Sequence, residues 1–144
     1  MNIFYDVEMF MRAAGHEPDP KRISLYLDLV REEIGELEEA MSEFHAAESK
    51  EDEQVAKADA LDAICDSIWV LIGLARTMDL PIEWGWDAVA ISNARKVDPQ
   101  LGTVIRDENG KIQKPLGWKP PDMLRVIQQY DASRNGLDKP EIQE

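Results

Sequence analysis

Leu61-Asp62-Ala63-Ile64-Cys65-Asp66-Ser67-Ile68-Trp69-Val70-Leu71-Ile72-Gly73-Leu74-Ala75 is the stretch from which the rest of the chain can be read. Its apolar residues fall on every side of a helix, which predicts a buried one. The run falls short of the roughly 20 apolar residues that a bilayer span requires. Within it Asp62 and Asp66 are four apart and so share a face. An ionised carboxylate in a dry core costs several kcal/mol, so the pair calls for a cation, a hydrogen-bond network or a raised pKa.

The 144 residues suggest one domain, over residues 1–130, followed by a polar tail over 131–144. Twenty-nine acidic residues against sixteen basic ones give a net charge of −13, which argues against a protein that grips a nucleic-acid backbone. A polyphosphate remains open as a ligand if divalent cations stand between it and the protein. Residues 1–10 lack the basic start and apolar run of a signal peptide, no membrane association is expected, and the expected compartment is the cytoplasm. Cys65 is the single cysteine, which leaves no disulfide or zinc-ribbon spacing, and its position predicts a small core residue.

Outward from the apolar run, the predicted helix extends over 52–79 and stops at Leu80-Pro81. Before it, Ile23, Leu27, Val30, Ile34, Leu37 and Met41 recur at steps of four and three, predicting a helix to about Glu48 with a core-facing stripe. Asp19 and Pro20 supply a cap and a first helical residue. A short polar turn between the two long helices predicts an antiparallel hairpin. Residues 2–14 read as an amphipathic helix with Ile3, Val7, Phe10 and Met11 on one side, and 81–97 as another helix. Asn109-Gly110, between Thr103-Val104-Ile105 and Lys111-Ile112-Gln113-Lys114, signals a small β-hairpin, and Met123 to Tyr130 a short helix. The expected class is all-α: an antiparallel bundle of four to five helices with one late hairpin.

On the first long helix, Glu33 lies at the flank of the stripe beside Tyr26, Leu29 and Ala40, with Glu36 and then Glu32 further round. Glu38 and Glu39 point elsewhere. On the second, Asp62 and Asp66 flank the apolar side, with Asp59 adjacent. Antiparallel packing brings the two flanks together, and four or five carboxylates cannot share one space uncompensated. Lys57 and Arg76 lie away from this arc. Oxygen-only donors suit Mg²⁺ or Mn²⁺ rather than zinc or copper. The plain alternative is a solvated glutamate face. A di-iron bundle wants Glu-x-x-His pairs, and neither His16 nor His45 has that spacing.

Glu32-Glu33-x-x-Glu36, followed by Asp62-x-x-x-Asp66 and Ile68-Trp69-Val70-Leu71-Ile72-Gly73, resembles the all-α nucleoside triphosphate pyrophosphohydrolases, the MazG-like enzymes among them. Ser92-Asn93-Ala94-Arg95-Lys96 and Gly110-Lys111-Ile112-Gln113-Lys114-Pro115 add the later signature of the phosphoribosyl-ATP pyrophosphohydrolase-like branch. The resemblance implies a hydrolase that converts a (deoxy)nucleoside triphosphate to the monophosphate and pyrophosphate with two or more Mg²⁺ or Mn²⁺ ions. It implies Glu33, Glu36, Asp62 and Asp66 as ligands, and Glu32 as a further ligand or general base. Asn93 and Lys96 would take the phosphate end, Lys96 adding charge against the leaving pyrophosphate, with Lys111 and Lys114 as further phosphate-binding residues. Trp69 would stack on a base, or pack in the core. Relatives assemble as dimers or tetramers, so a homo-oligomer is expected. Many relatives carry Glu-x-x-Asp on the second helix, whereas position 63 here is Ala, which speaks against the histidine-synthesis enzyme itself. A non-catalytic helical module on the same fold is the other alternative.

Overall fold

Short polar caps set the limits of the helices in the structure, a computed structural model that describes residues 2–135. Asn2 Oδ1 accepts from the Phe4 and Tyr5 amides and opens α1 (Ile3–Ala13). Asp19 caps a 3₁₀ turn at Pro20–Arg22, which runs into α2 (Ile23–Ala46). Ser49 Oγ accepts from Asp52 N at 3.0 Å and donates to the Asp52 carboxylate at 2.6 Å, opening α3 (Lys50–Thr77). These bonds satisfy amides that the first helical turn leaves unpaired. At the far end of α3, Asp79 takes a left-handed conformation (φ +55°), Leu80 N bonds back to the Ala75 carbonyl, and Pro81 ends the helix. The chain divides into two units at this point, one ending at Leu80 and the other beginning at Pro81.

In the first unit α2 and α3 form the expected antiparallel hairpin. The α3 side of the seam is made of small residues: Ala56, Ala60, Ala63, Ser67, Val70, Gly73 and Thr77 are all buried, at steps of three and four. Small side chains let the backbones approach closely. A Cβ on Gly73 would stand 2.9 Å from Tyr26 Cδ1 and closer still to Cε1, so only glycine admits the Tyr26 ring there. The Tyr26 hydroxyl then meets His16 Nδ1 at 3.0 Å, tying the connector to the hairpin. α1 packs on α3 through buried Val7 and Met11, an edge-to-face Phe10–Trp69 pair, and Glu8, which ion-pairs with both Arg12 and Arg76.

The structure corrects the sequence in four places within this unit. The apolar run of α3 is not buried on all sides: Leu61, Ile64, Ile68 and Leu71 are 43–63% exposed, because α2 and α1 cover only the small-residue face and one flank. Cys65 is likewise exposed rather than a core residue. On α2 the innermost line is Tyr26 and Ala40, while Leu27, Ile34 and Met41 of the predicted stripe remain about two-fifths exposed. The same holds on α1, where Ile3 and Phe10 lie open.

The second unit begins with α4 (Ile82–Ala94), shorter than predicted because Arg95 and Lys96 turn back onto the Ile91 and Asn93 carbonyls. Two short strands follow, β1 (Val97–Asp98) and β2 (Thr103–Val104), paired antiparallel as Val97↔Val104 and Asp98↔Thr103. The expected turn at Asn109-Gly110 is present, with Gly110 at φ +78° and an Arg106↔Ile112 bridge. The ladder partner of Thr103-Val104, however, is Val97-Asp98 and not 111–114, because Asp98 Oδ1 folds the chain back by accepting from Gln100 and Leu101 amides. α5 (Met123–Arg134) is capped by Asp122 and packs on α4 through Trp84 and Tyr130. It runs one turn past the predicted end, and most of the predicted polar tail lies outside the described residues. Among the described residues no helix is long and apolar enough to cross a membrane.

Candidate active site

The contact of Tyr26 with Gly73 fixes the register of the hairpin. Two antiparallel helices rise equally per residue, so seven residues along α2 correspond to seven back along α3. That puts Glu33 opposite Asp66 and Ser67, on the line between buried Tyr26 and buried Ala40. Glu33 is accordingly half-buried, whereas Glu32, Glu36, Asp62 and Asp66 around it are exposed. A carboxylate in a packing seam is out of place unless something answers its charge.

Burial pushes the Glu33 carboxyl above the ordinary glutamate range, and the charges of Glu36, Asp66, Glu32 and Asp62 push it further in the same direction. Those four residues come from both helices, so the expected flanks do share a field. Asp59 is not among the charges that act on Glu33. Among the described residues none of the five carboxylates forms an ion pair with Lys or Arg. Lys57 is taken by Glu53 and lies over the Phe44 ring, and Arg76 is taken by Glu8. The side chains do not converge on one point: among the described residues no three His, Cys, Asp or Glu side chains are grouped to hold an ion. Mutually repelling, exposed carboxylates turn toward water.

One further polar atom belongs to this seam. Ser67 Oγ is buried and has no hydrogen-bond partner among the described residues. A buried hydroxyl without a partner costs about 1–3 kcal/mol. The orphaned oxygen, the half-buried glutamate and the four exposed carboxylates are all oxygen donors, the chemistry that a hard divalent cation such as Mg²⁺ takes, although as they stand they are not gathered on one point. Ala63 is buried in the same seam with 3% exposure. Trp69 lies on α3 beyond this cluster, 38% exposed, its ring engaged with Phe10 at 5.6 Å between centroids.

The second unit gathers cations instead. Trp118 Nε1 donates to the Ser92 carbonyl at 2.8 Å, and Ser92 Oγ donates to the Lys119 carbonyl at 3.3 Å, which pins the indole to the end of α4. Lys114 Nζ lies 4.5 Å and Lys96 Nζ 5.2 Å from the centroid of that ring. Lys96 also donates to Asn93 Oδ1 at 2.8 Å, while the Asn93 carbonyl ends the helix. Two ammoniums within roughly 10 Å of one another in water repel by about 0.4 kcal/mol or somewhat more, whereas each gains about 0.5–1 kcal/mol from the ring face. The ring's attraction wins. Lys111 spends its backbone on the Asp107 turn, and its ammonium makes no ion pair or ring contact among the described residues.

Thus Glu32, Glu33, Glu36, Asp62 and Asp66 lie on facing helices of the first unit and act on one another by charge without converging on one point, Asn93, Lys96 and Lys114 gather in the second, and Lys111 and Trp69 join neither group. Sequence reasoning missed Ser67, which hides in an apolar run. It also missed Trp118, although an aromatic shortly after Lys114 was there to be noticed.

A sequence model of the phosphoribosyl-ATP pyrophosphohydrolase family matches residues 9–93. The match takes in every carboxylate of the cluster and ends at Asn93, so Lys96, Lys111, Lys114 and Trp118 lie beyond it. A search of curated proteins finds no match to the chain.

Proposed function

The chain belongs to the phosphoribosyl-ATP pyrophosphohydrolase family, one of the all-α MazG-like pyrophosphohydrolases, and from that premise we propose that it is a (deoxy)nucleoside triphosphate pyrophosphohydrolase dependent on Mg²⁺ or Mn²⁺. The reaction is (d)NTP + H₂O → (d)NMP + pyrophosphate, acting on the nucleotide pool of the cytoplasm. The observation that carries it is geometric: Glu33, half-buried in the α2–α3 seam opposite Asp66, stands among four further carboxylates of the two facing helices, and among the described residues no Lys or Arg pairs with any of the five. Glu33, Glu36, Asp62 and Asp66 hold the ions in this reading, and Glu32 serves as ligand or general base.

Divalent ions held by Glu33, Glu36, Asp62 and Asp66 would supply positive charge against the phosphoryl oxygens and would lower the pKa of a water so that hydroxide is available near neutral pH. The chain's own contribution is positioning. Long helices hold the carboxylates in fixed order, and Lys96 with Asn93 meets the phosphate end. Trp69 remains open enough to receive a base. A homo-oligomer belongs to the same proposal: Leu61, Ile64, Ile68 and Leu71 form an uncovered apolar stripe on α3 suited to a second copy of this chain. Sedimentation equilibrium reads that part directly, and a monomer at all concentrations excludes it.

The name of the matched family favours a second substrate, phosphoribosyl-ATP, which would release the same product. One assay decides between them. Each canonical triphosphate, dUTP and phosphoribosyl-ATP are offered with Mg²⁺ or Mn²⁺, and pyrophosphate and orthophosphate are measured separately. The proposal expects pyrophosphate from at least one triphosphate and none with EDTA. Turnover of phosphoribosyl-ATP alone moves the chain to the second reading, orthophosphate alone contradicts the bond assigned, and a melting temperature indifferent to both metals, with no turnover, indicates a non-catalytic module.

A further inference from the structure

The stretch 95–119 reverses the sign of the chain. It holds six Lys and Arg residues against three acidic ones, in a protein of net charge −13. Two of the six are not spread at random: Lys96, at the end of α4, and Lys114, after the Asn109-Gly110 turn, both place their ammoniums against the Trp118 ring. The ring itself is held from two sides. Its Nε1 donates to Ser92, which is 6% exposed, and the next residue's carbonyl accepts from Ser92 Oγ. A tight turn with Gly117 at φ +80° and the Trp118 amide on the Pro115 carbonyl brings the indole round to this position. Neither ammonium is paired with a carboxylate among the described residues.

We infer that Trp118 is a positioning residue, which gathers Lys96 and Lys114 into a two-cation clamp for a pyrophosphate group. The inference rests on the pyrophosphohydrolase reading for its ligand but on the indole geometry for its residues. A lysine ammonium on a four-carbon stem is a mobile point charge, and two of them select a polyanion only if something limits where they go. The indole supplies that limit without neutralising either charge, which a carboxylate partner would do. Asn93 narrows Lys96 further through its Oδ1. Trp118 thereby acts through the lysines and does not touch the anion.

The test is a titration of the full chain with inorganic pyrophosphate, followed by calorimetry and by the ε-methylene proton signals of Lys96 and Lys114. In the unsubstituted protein both signals should be shifted upfield by the ring and should move again as pyrophosphate binds. Trp118→Leu should weaken pyrophosphate about five- to tenfold, and raise KM by a similar factor with little change in kcat. Trp118→Phe keeps a ring face while losing the bond to Ser92, and should stay within about threefold of the parent. Should Trp118→Leu fail to fold, Lys114→Met, which leaves the indole anchored, should still weaken pyrophosphate about threefold or more. Unchanged affinity in Trp118→Leu or in Lys114→Met overturns the inference, as do lysine signals that ignore pyrophosphate. If pyrophosphate moves both signals in a protein that hydrolyses neither a triphosphate nor phosphoribosyl-ATP, the clamp stands and the enzymatic reading falls. Hydrolysis with lysines indifferent to pyrophosphate overturns the clamp and leaves the enzymatic reading in place.

Discussion

Residues 1–80 hold nineteen acidic residues against seven basic ones, whereas residues 81–144 hold ten against nine. The difference goes deeper than the totals. In the first unit five carboxylates are fixed by two long helices at positions they cannot leave, and one of them, Glu33, is half-buried in the seam. In the second, flexible lysines reach the end of α4 from separate segments and are kept together by an aromatic ring. Rigid backbone imposes repulsion in one region, and a soft contact tolerates it in the other. A frame of the first kind asks for cations and one of the second kind for an anion.

The sharpest way to break this contrast is to remove one charge from the rigid group. Glu36→Gln changes shape little and deletes a ligand of the proposed ions, so kcat with Mg²⁺ should fall about a hundredfold or more. Asp66→Asn should do the same from the opposite helix. Neither variant should melt earlier than the parent in EDTA, because each relieves repulsion. If a steady-state assay finds full activity in both, the carboxylates are a solvated face and the contrast loses its functional meaning.

The rigidity itself can be attacked at the one place where the seam is tightest. Gly73→Ala puts a methyl group into the Tyr26 ring, and overpacking of this kind costs about 1–3 kcal/mol. Tyr26→Leu in the same chain should recover part of that loss, since the clash disappears with the ring. Chemical denaturation of the two single variants and the double variant measures the coupling. Additive losses would mean that the helices separate freely and that nothing holds Glu33 opposite Asp66.

How much of this could be read without the structure depended on what kind of information each feature required. The α2–α3 hairpin, and with it the placing of Glu33 and Glu36 on one helix and Asp62 and Asp66 on the facing one, was legible because helical spacing and a short turn decide it. The innermost face of α2 was not. Ile23 to Met41 is the more apolar stripe, but Tyr26 and Ala40 lie innermost, because the small residues of α3 admit them there. Composition also cannot tell a helix apolar all round and buried from one whose second apolar face lies open, as at Leu61 and Ile68. The Lys96–Trp118 contact joins residues far apart in sequence through a turn built on Asp98 and another on Asn109-Gly110, and no local pattern announces such a meeting.

The smallest effect tests whether the shared field at Glu33 is present before any ion arrives. Glu33 binds its proton more tightly in the folded chain than in the unfolded one, because burial and four neighbouring carboxylates disfavour its ionised form. Its contribution to stability is therefore present in full below the unfolded glutamate pKa of about 4.3, and is lost as pH rises through the higher folded value. Glu33→Gln has no proton to lose. In EDTA, the melting temperature of the parent relative to Glu33→Gln should fall by about 1–3 °C between pH 4 and pH 7, the scale expected for a fraction of a kcal/mol in a chain of this size. Excess Mg²⁺ should remove most of that fall, since an ion that binds only the folded, ionised cluster stabilises it by mass action. A difference that stays flat with pH would mean that Glu33 titrates as an ordinary surface glutamate, and that the two helices do not confront one another with charge at all.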